Sequence, residues 1–353
     1  MPDFASDNAH PASARIMQAI VDANQGAVPS YGADPWSRKA EAMLAETFER
    51  ECSALLVATG TAANALALAS LTPVWGAVVC HQEAHIATDE CGAPEFYSGG
   101  AQLIRLPGDG AKIAAGDLER LLAGWDFGVV HHVQPAALSL SQLTECGQAY
   151  SLDEIAALSE VAHRHGLKVH MDGARFANAM VGLEASAAEM SWKAGVDIVS
   201  FGGTKNGCLA VEAIVAFDTG LRQELEYRRK RSGHLFSKGR LLGAQMTAYL
   251  EDGHWIGLAT HANSMARRLA EGLVATGRAR LAWPVAGNEV FAILRRTDHE
   301  ALLKEGVRHY DWPGRPAGGG VADEEAVGRF VVSHTIREED VDAACAALRN
   351  QSA

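Results

Sequence analysis

Residues 151–176, SLDEIAALSEVAHRHGLKVHMDGARF, decide the fold. Ser151 and Glu154 have capping-box spacing, each side chain taking the other's backbone N–H, so a helix is predicted over DEIAALSEVAHRH. Gly166 suits its stop, because glycine turns left-handed without steric cost. LKVHMD then returns as a strand with Asp172 at its carboxyl end. Residues 197–207, DIVSFGGTKNG, repeat the move: an apolar strand, then a glycine-rich turn carrying Lys205. This βαβ rhythm predicts a mainly parallel sheet with helices on both faces. In such sheets ligands lie beyond the carboxyl ends of the strands, where both Asp172 and Lys205 fall.

The rhythm extends outward. Asp34 and Pro35 read as the N-cap and first residue of a helix with Trp36, Ala40, Met43, Leu44 and Phe48 on one face. Strands are predicted at SALLVA (53–58), AVVCH (77–81), QLIRL (102–106) and FGVVHHV (127–133). After the first, ATGTAANALALASL (58–71) opens a helix, leaving the amides of Gly60, Thr61 and Ala62 to bind a phosphate at the positive helix end. From His254 a long helix leads to the strands EVFAILRR (289–296) and GRFVVSHTI (328–336). A final helix is capped by Thr335 and Glu338, with Val341, Cys345 and Leu348 inward; PAGGG (316–320) is a loop. The expected division is an N-terminal arm (1–25), a large α/β domain (26–250) and a smaller α+β C-terminal domain (251–353).

A lysine and an aspartate at neighbouring strand ends, after a glycine-threonine helix start, are the parts that pyridoxal phosphate needs. The amine forms a Schiff base with the cofactor aldehyde, and the carboxylate keeps the pyridine nitrogen protonated so that the ring absorbs a carbanion's electrons. Singly, each part has a plain structural reading: a lysine in a glycine-rich turn is usually solvated, and a glycine before a helix can simply shape the turn. The ordered set is far harder to obtain by chance.

On these residues the chain resembles the fold-type I pyridoxal-phosphate enzymes and, within them, the bacterial low-specificity L-threonine aldolases. The likeness runs from FASDN through SYGADPWS, VATGTAAN, HQEAHIATDECGAPEF, LSLSQLTECGQAYSLDE, HMDGARFANA, SFGGTKNG and RSGHLFSKGRLLGAQMTAYL to GRFVVSHTI, nearly the whole length. It implies an aldehyde-lyase that cleaves L-β-hydroxy-α-amino acids, of the L-threonine, L-allo-threonine or phenylserine type, to glycine and an aldehyde. By resemblance, Lys205 holds the cofactor, Asp172 faces its ring nitrogen, His85 lies over the ring and Arg175 stands nearby. Gly60 and Thr61, with the Thr204 hydroxyl, take the phosphate. Arg329 and Ser6 take the substrate carboxylate; Tyr31 and Glu90 lie near the site. Many relatives carry a further histidine near SLSQLTECG (139–147), where this chain places Thr144, which leaves the base open between His85 acting directly and through water. The resemblance also implies a homodimer or a tetramer of two dimers with sites at the subunit boundary. The basic run 228–240, with Lys238 and Arg240, then faces either solvent or a neighbour's phosphate. An alternative is another pyridoxal-phosphate lyase, racemase or aminotransferase, which would share these parts. A non-catalytic or NAD-type α/β binding protein is more distant: no GxGxxG follows the first strand, and Lys205 would be unexplained.

Composition narrows the partners. The net charge of -12 argues against nucleic acid. The six cysteines are scattered without a CxxC pair, as expected of reduced thiols in the cytoplasm. MPDFASDNAH lacks a basic start and an apolar core, and no apolar run approaches the roughly 18 residues of a membrane span. The histidine pairs 131/132 and 163/165 have no converging carboxylates, so no metal is expected.

Overall fold

The computed structural model describes residues 2–316 and 319–351. Seven strands build the larger sheet: β1 Ser53–Val57, β2 Gly76–His81, β3 Gln102–Leu106, β4 Gln134–Ser141, β5 Lys168–Gly173, β6 Ile198–Gly202 and β7 Glu212–Ala216. Their order is β1-β7-β6-β5-β4-β2-β3. Neighbours from β3 to β6 are parallel, and β7 is antiparallel to both β6 and β1. A parallel neighbour needs a crossover of about a dozen residues or more, and the turn from β6 to β7 is too short for one. That turn carries Lys205. β1 therefore points the same way as β6, and Glu212 pairs in register with both Val57 and Gly202. The ends of β1, β4, β5 and β6 meet at one edge.

The predicted capping box is present: Ser151 Oγ accepts from Glu154 N (3.2 Å), and Glu154 Oε2 accepts from Ser151 N (2.8 Å). Asp34 caps its helix through Ser37 N at 2.8 Å. FGVVHHV, however, is a series of turns, with Val130 93% exposed. The Gln134 side chain folds back over it, accepting from Gly128 N (2.8 Å) and donating to the carbonyls of Val129 (3.3 Å) and His132 (3.0 Å). The strand starts at Gln134 instead. Its Pro135 is tolerated near the strand start, beside a register shift in the pairing with β2.

Phe201 on β6 anchors the segment that leads to Lys205. It is fully buried, with ring centroids at 5.8 Å from Phe48, 5.4 Å from Phe176 and 5.5 Å from Trp255. Burying such a ring contributes about 1.5–3 kcal/mol.

Four antiparallel strands, β8 Ala279–Leu281, β9 Glu289–Arg295, β10 Tyr310–Trp312 and β11 Glu325–Val331, form the second sheet in the order β10-β11-β9-β8. Phe4 is buried in its core. Its N–H donates to Arg308 O (2.8 Å), and its carbonyl accepts from Val331 N (2.7 Å). These bonds pin the start of the chain so that Ser6 and Asp7 reach the edge of the larger sheet. The final helix, Glu338–Arg349, is not capped by Thr335 and Glu338 as the sequence implied: Asp340 accepts from Arg337 N (3.0 Å), and the Thr335 hydroxyl is paired with His10 Nδ1 (2.6 Å). Val341, Cys345 and Leu348 are buried. The loop read at PAGGG falls partly outside the described residues. Arg240 of the basic run donates to the carbonyls of Gln25 (3.2 Å) and Gly26 (2.9 Å), which ties it to its own chain.

Candidate active site

A cleft of about 610 Å³ opens at this edge. Lys205 enters it from the 3-10 turn Thr204–Asn206. The turn is rigid because Asn206 Nδ2 donates to Tyr249 Oη (2.8 Å) and Trp255 O (2.9 Å), with all three residues buried. Gly207 ends it at φ 98°, and a Cβ there would sit 2.7 Å from Leu258 Cδ1. The Thr204 hydroxyl lines the cleft and accepts from Val211 N (3.2 Å).

Asp172 closes β5. Its Oδ1 accepts from Ala174 N (3.0 Å) and its Oδ2 from Asn64 Nδ2 (2.8 Å). Asn64 also donates to Glu90 Oε1 (2.8 Å), which pairs with His85 Nδ1 (2.9 Å). Asn64 stands on the helix Gly60–Leu71, whose start faces the cleft through Gly60 and Thr61. The amide of Ala62, expected to be available there, instead donates to the N-cap Thr59 Oγ1 (3.1 Å). The hydrogen bond from His85 to Glu90 raises the His85 pKa against its burial, and burial raises that of Glu90, so the pair holds its proton firmly. His85, Glu90 and Asp172 bring ligand atoms within 4.8 Å of one another, a convergence that the sequence did not show.

Thr144 reaches the cleft wall, but its hydroxyl donates to Gly110 O (2.7 Å). Its neighbour Glu145 accepts from the backbone N of His85 (2.7 Å) and from Ser141 Oγ (3.0 Å), with Oε2 shielded and unpartnered. Burial pushes the Glu145 carboxyl up to about 7, and Glu212, buried beside Thr204, is likewise pushed up to about 7.

Two arginines define the opposite wall. Arg175 donates to Asp7 from Nε (2.8 Å) and Nη2 (3.0 Å). Arg329, on β11, donates to Glu289 Oε1 from Nε (3.1 Å) and Nη2 (2.9 Å), and lies 5.3 Å from the centre of the Trp312 ring. Burial alone would raise the Asp7 carboxyl, but Arg175, Lys205 and Arg329 hold it below its usual range. Ser6 lines the cleft and accepts from Asn8 N (3.2 Å).

Ten of the sequence-derived residues meet in this cleft: Ser6, Gly60, Thr61, His85, Glu90, Asp172, Arg175, Thr204, Lys205 and Arg329. Tyr31 does not. It lies 51% exposed, with Lys230 Nζ 5.0 Å from its ring, outside the cleft of its own chain. The sequence reading passed over Asp7, Asn64, Glu145, Glu212 and Glu289. Asn64 was findable, because it follows Gly60 by one helical turn and so shares its face; Glu289 opens an ordinary apolar strand and carries no local signal.

A helix start with the Gly60 and Thr61 amides unpaired among the described residues, a carboxylate fixed by an asparagine and a lysine in a rigid turn fit pyridoxal phosphate. On a mainly parallel seven-stranded sheet, they define the class of fold-type I pyridoxal-phosphate enzymes. The chain belongs to the beta-eliminating lyase family, whose profile matches residues 3–297. It is 41% identical over 312 residues to the low specificity L-threonine aldolase of Pseudomonas aeruginosa, covering 88% of this chain and 89% of that protein. The protein of the same name from a Pseudomonas species is 39% identical over the same shares of the two chains. The solved threonine aldolase of Leishmania major superposes with a TM-score of 0.90 at 28% identity, covering 99% of each chain.

Proposed function

We propose that this protein is a pyridoxal-phosphate-dependent aldolase that cleaves L-β-hydroxy-α-amino acids, of the L-threonine, L-allo-threonine or phenylserine type, to glycine and an aldehyde. One observation carries the reading: Lys205 and Asp172 share a cleft with the arginine pair Arg175 and Arg329. When bound, the cofactor supplies the electron sink that makes cleavage of the Cα–Cβ bond possible. Lys205 would hold it, with Asp172 for its ring nitrogen and Gly60 and Thr61 for its phosphate at the helix start. Asn64 fixes the orientation of Asp172.

Arg329, with Arg175 and Ser6, binds the substrate carboxylate and so fixes the orientation of Cα in the cleft. The proton of the β-hydroxyl goes to His85. Glu90 occupies Nδ1, which leaves Nε2 to accept it, directly or through water. Glu145 lines the cleft wall beside Thr144, and it holds His85 by the backbone.

We further assign an arm (1–25), a large domain (26–250) and a small domain (251–353), supported by an apolar core around the second sheet that is built, Phe4 apart, from residues 265–348. A homodimer or tetramer with boundary sites is supported by Tyr31, which is exposed and does not line the cleft of its own chain. Six free cysteines support a cytoplasmic location, and among the described residues no helix is long and apolar enough to cross a membrane.

The test is a panel of L-threonine, L-allo-threonine, their D-isomers and phenylserine, with aldehyde and glycine both measured. Equal yields of the two from the L-isomers are expected. Aldehyde without glycine would count against cleavage of the Cα–Cβ bond, and an α-keto acid released with ammonia, an α-keto acid without ammonia, or racemised substrate would replace this reading with elimination, transamination or racemisation, respectively.

A further inference from the structure

Both arginines reach the cleft with a carboxylate already attached. The Glu289 and Asp7 side chains are only 1% and 0% exposed. The pairing of Arg329 with Glu289 follows from the sheet register: Val331 stands opposite Glu289 and Arg329 opposite Phe291, which makes Arg329 and Glu289 diagonal neighbours on one face. Glu289 uses only Oε1 on Arg329. Its Oε2 has no hydrogen bond and lies 3.5 Å from Nη1 of Arg175, so one carboxylate bridges both guanidiniums. Among the described residues, Nη1 of each arginine is left without a hydrogen bond. Two cations therefore face two buried anions before any ligand arrives, and the remaining donors point to a site that is selective in geometry and nearly neutral in charge.

We propose that Glu289 is a specificity-determining residue: with Asp7 it cancels the charge of the arginine pair, so that an amino acid's carboxylate is held by hydrogen-bond geometry and released readily. This rests on the reading that the pair takes the substrate carboxylate. A structural prop and a charge-cancelling residue predict opposite signs on substitution. Glu289→Gln keeps an oxygen for Nε and Nη2 of Arg329 but removes the charge, whereas Glu289→Ala removes both.

The experiment compares these variants, and Asp7→Asn as an independent version of the same charge change, in KM, kcat and binding of acetate as a monocarboxylate probe. Acetate binding is followed by the thermal transition of the full-length protein. For Glu289→Gln and Asp7→Asn, the threonine KM should fall about tenfold and acetate should protect at about tenfold lower concentration. Glu289→Ala should raise KM, because Arg329 is no longer held in place, and Arg329→Lys should abolish the protection. A raised KM in both Glu289 variants, or acetate protection that is absent, insensitive to Glu289 or retained in Arg329→Lys, overturns the proposal. The acetate measurement needs no turnover. If the wild-type protein cleaves none of the substrates, the functional reading fails while the charge relation is still decided.

Discussion

Burial holds the Glu145 carboxyl protonated up to about 7, whereas an unburied glutamate releases its proton near 4.5. Between those values the folded chain binds one more proton than the unfolded chain, so rising pH lowers stability across this window, by at most about 3 kcal/mol in total. Glu145→Gln removes that dependence while keeping an acceptor for the His85 amide. Its Tm relative to wild type should therefore rise from pH 5 to pH 7 and level off above; a constant offset would show that Glu145 ionises freely. Lys205→Ala should remove the cofactor's visible absorption band and nearly all turnover, and an unchanged spectrum would move the cofactor linkage elsewhere. Arg329→Lys keeps the charge but loses the planar fork that meets Glu289 and, on the proposed reading, the substrate carboxylate. Losing one charge-assisted hydrogen bond costs roughly 1.5–3 kcal/mol, about ten- to a hundredfold in kcat/KM. The loss should be similar for threonine and phenylserine, which share the carboxylate; a loss on one alone would mean that Arg329 reads the side chain.

The helix Phe176–Leu183 packs on β5 and β6, with Arg175 at its N-cap and Gly182 pressed against the loop before β9. A Cβ on Gly182 would lie 2.1 Å from the Ala286 carbonyl oxygen, which is backbone and has little room to yield. Gly182→Ala should cost about 1–3 kcal/mol by overpacking, lower Tm by a few degrees and raise KM by displacing Arg175. An unchanged Tm would mean that the loop gives way freely. Elements of this kind were legible where a local signal set them: Ser151 with Glu154, Asp34 with Pro35, and the apolar runs of β2, β5 and β6. FGVVHHV failed because its valines serve a turn closed by Gln134 and Trp125, and β-branched composition cannot distinguish a paired strand from an apolar loop. Thr335 failed as a cap because His10, from the other end of the chain, takes its hydroxyl.

At the scale of the whole molecule, the proposed assembly, with a cleft completed across a subunit boundary, predicts complementation. Lys205→Ala and Tyr31→Phe subunits, each weakly active alone, should regain activity when mixed under demonstrated subunit exchange. No recovery would favour self-contained sites. The parallel sheet, the lysine and aspartate at its carboxyl edge and the helix start at Gly60 were determined by the sequence itself, because each depends on periodicity or on residues adjacent in the chain. The charge partners were not. Asp7 meets Arg175 because Phe4 is buried in the distant small sheet, Glu289 meets Arg329 through strand register, and Glu145 reaches the His85 amide from the loop after β4. A carboxylate's partner is set by distance in space, and only packing brings such distant segments within hydrogen-bond reach. The tertiary structure thus decided how the candidate site is charged, and the sequence decided where it lies.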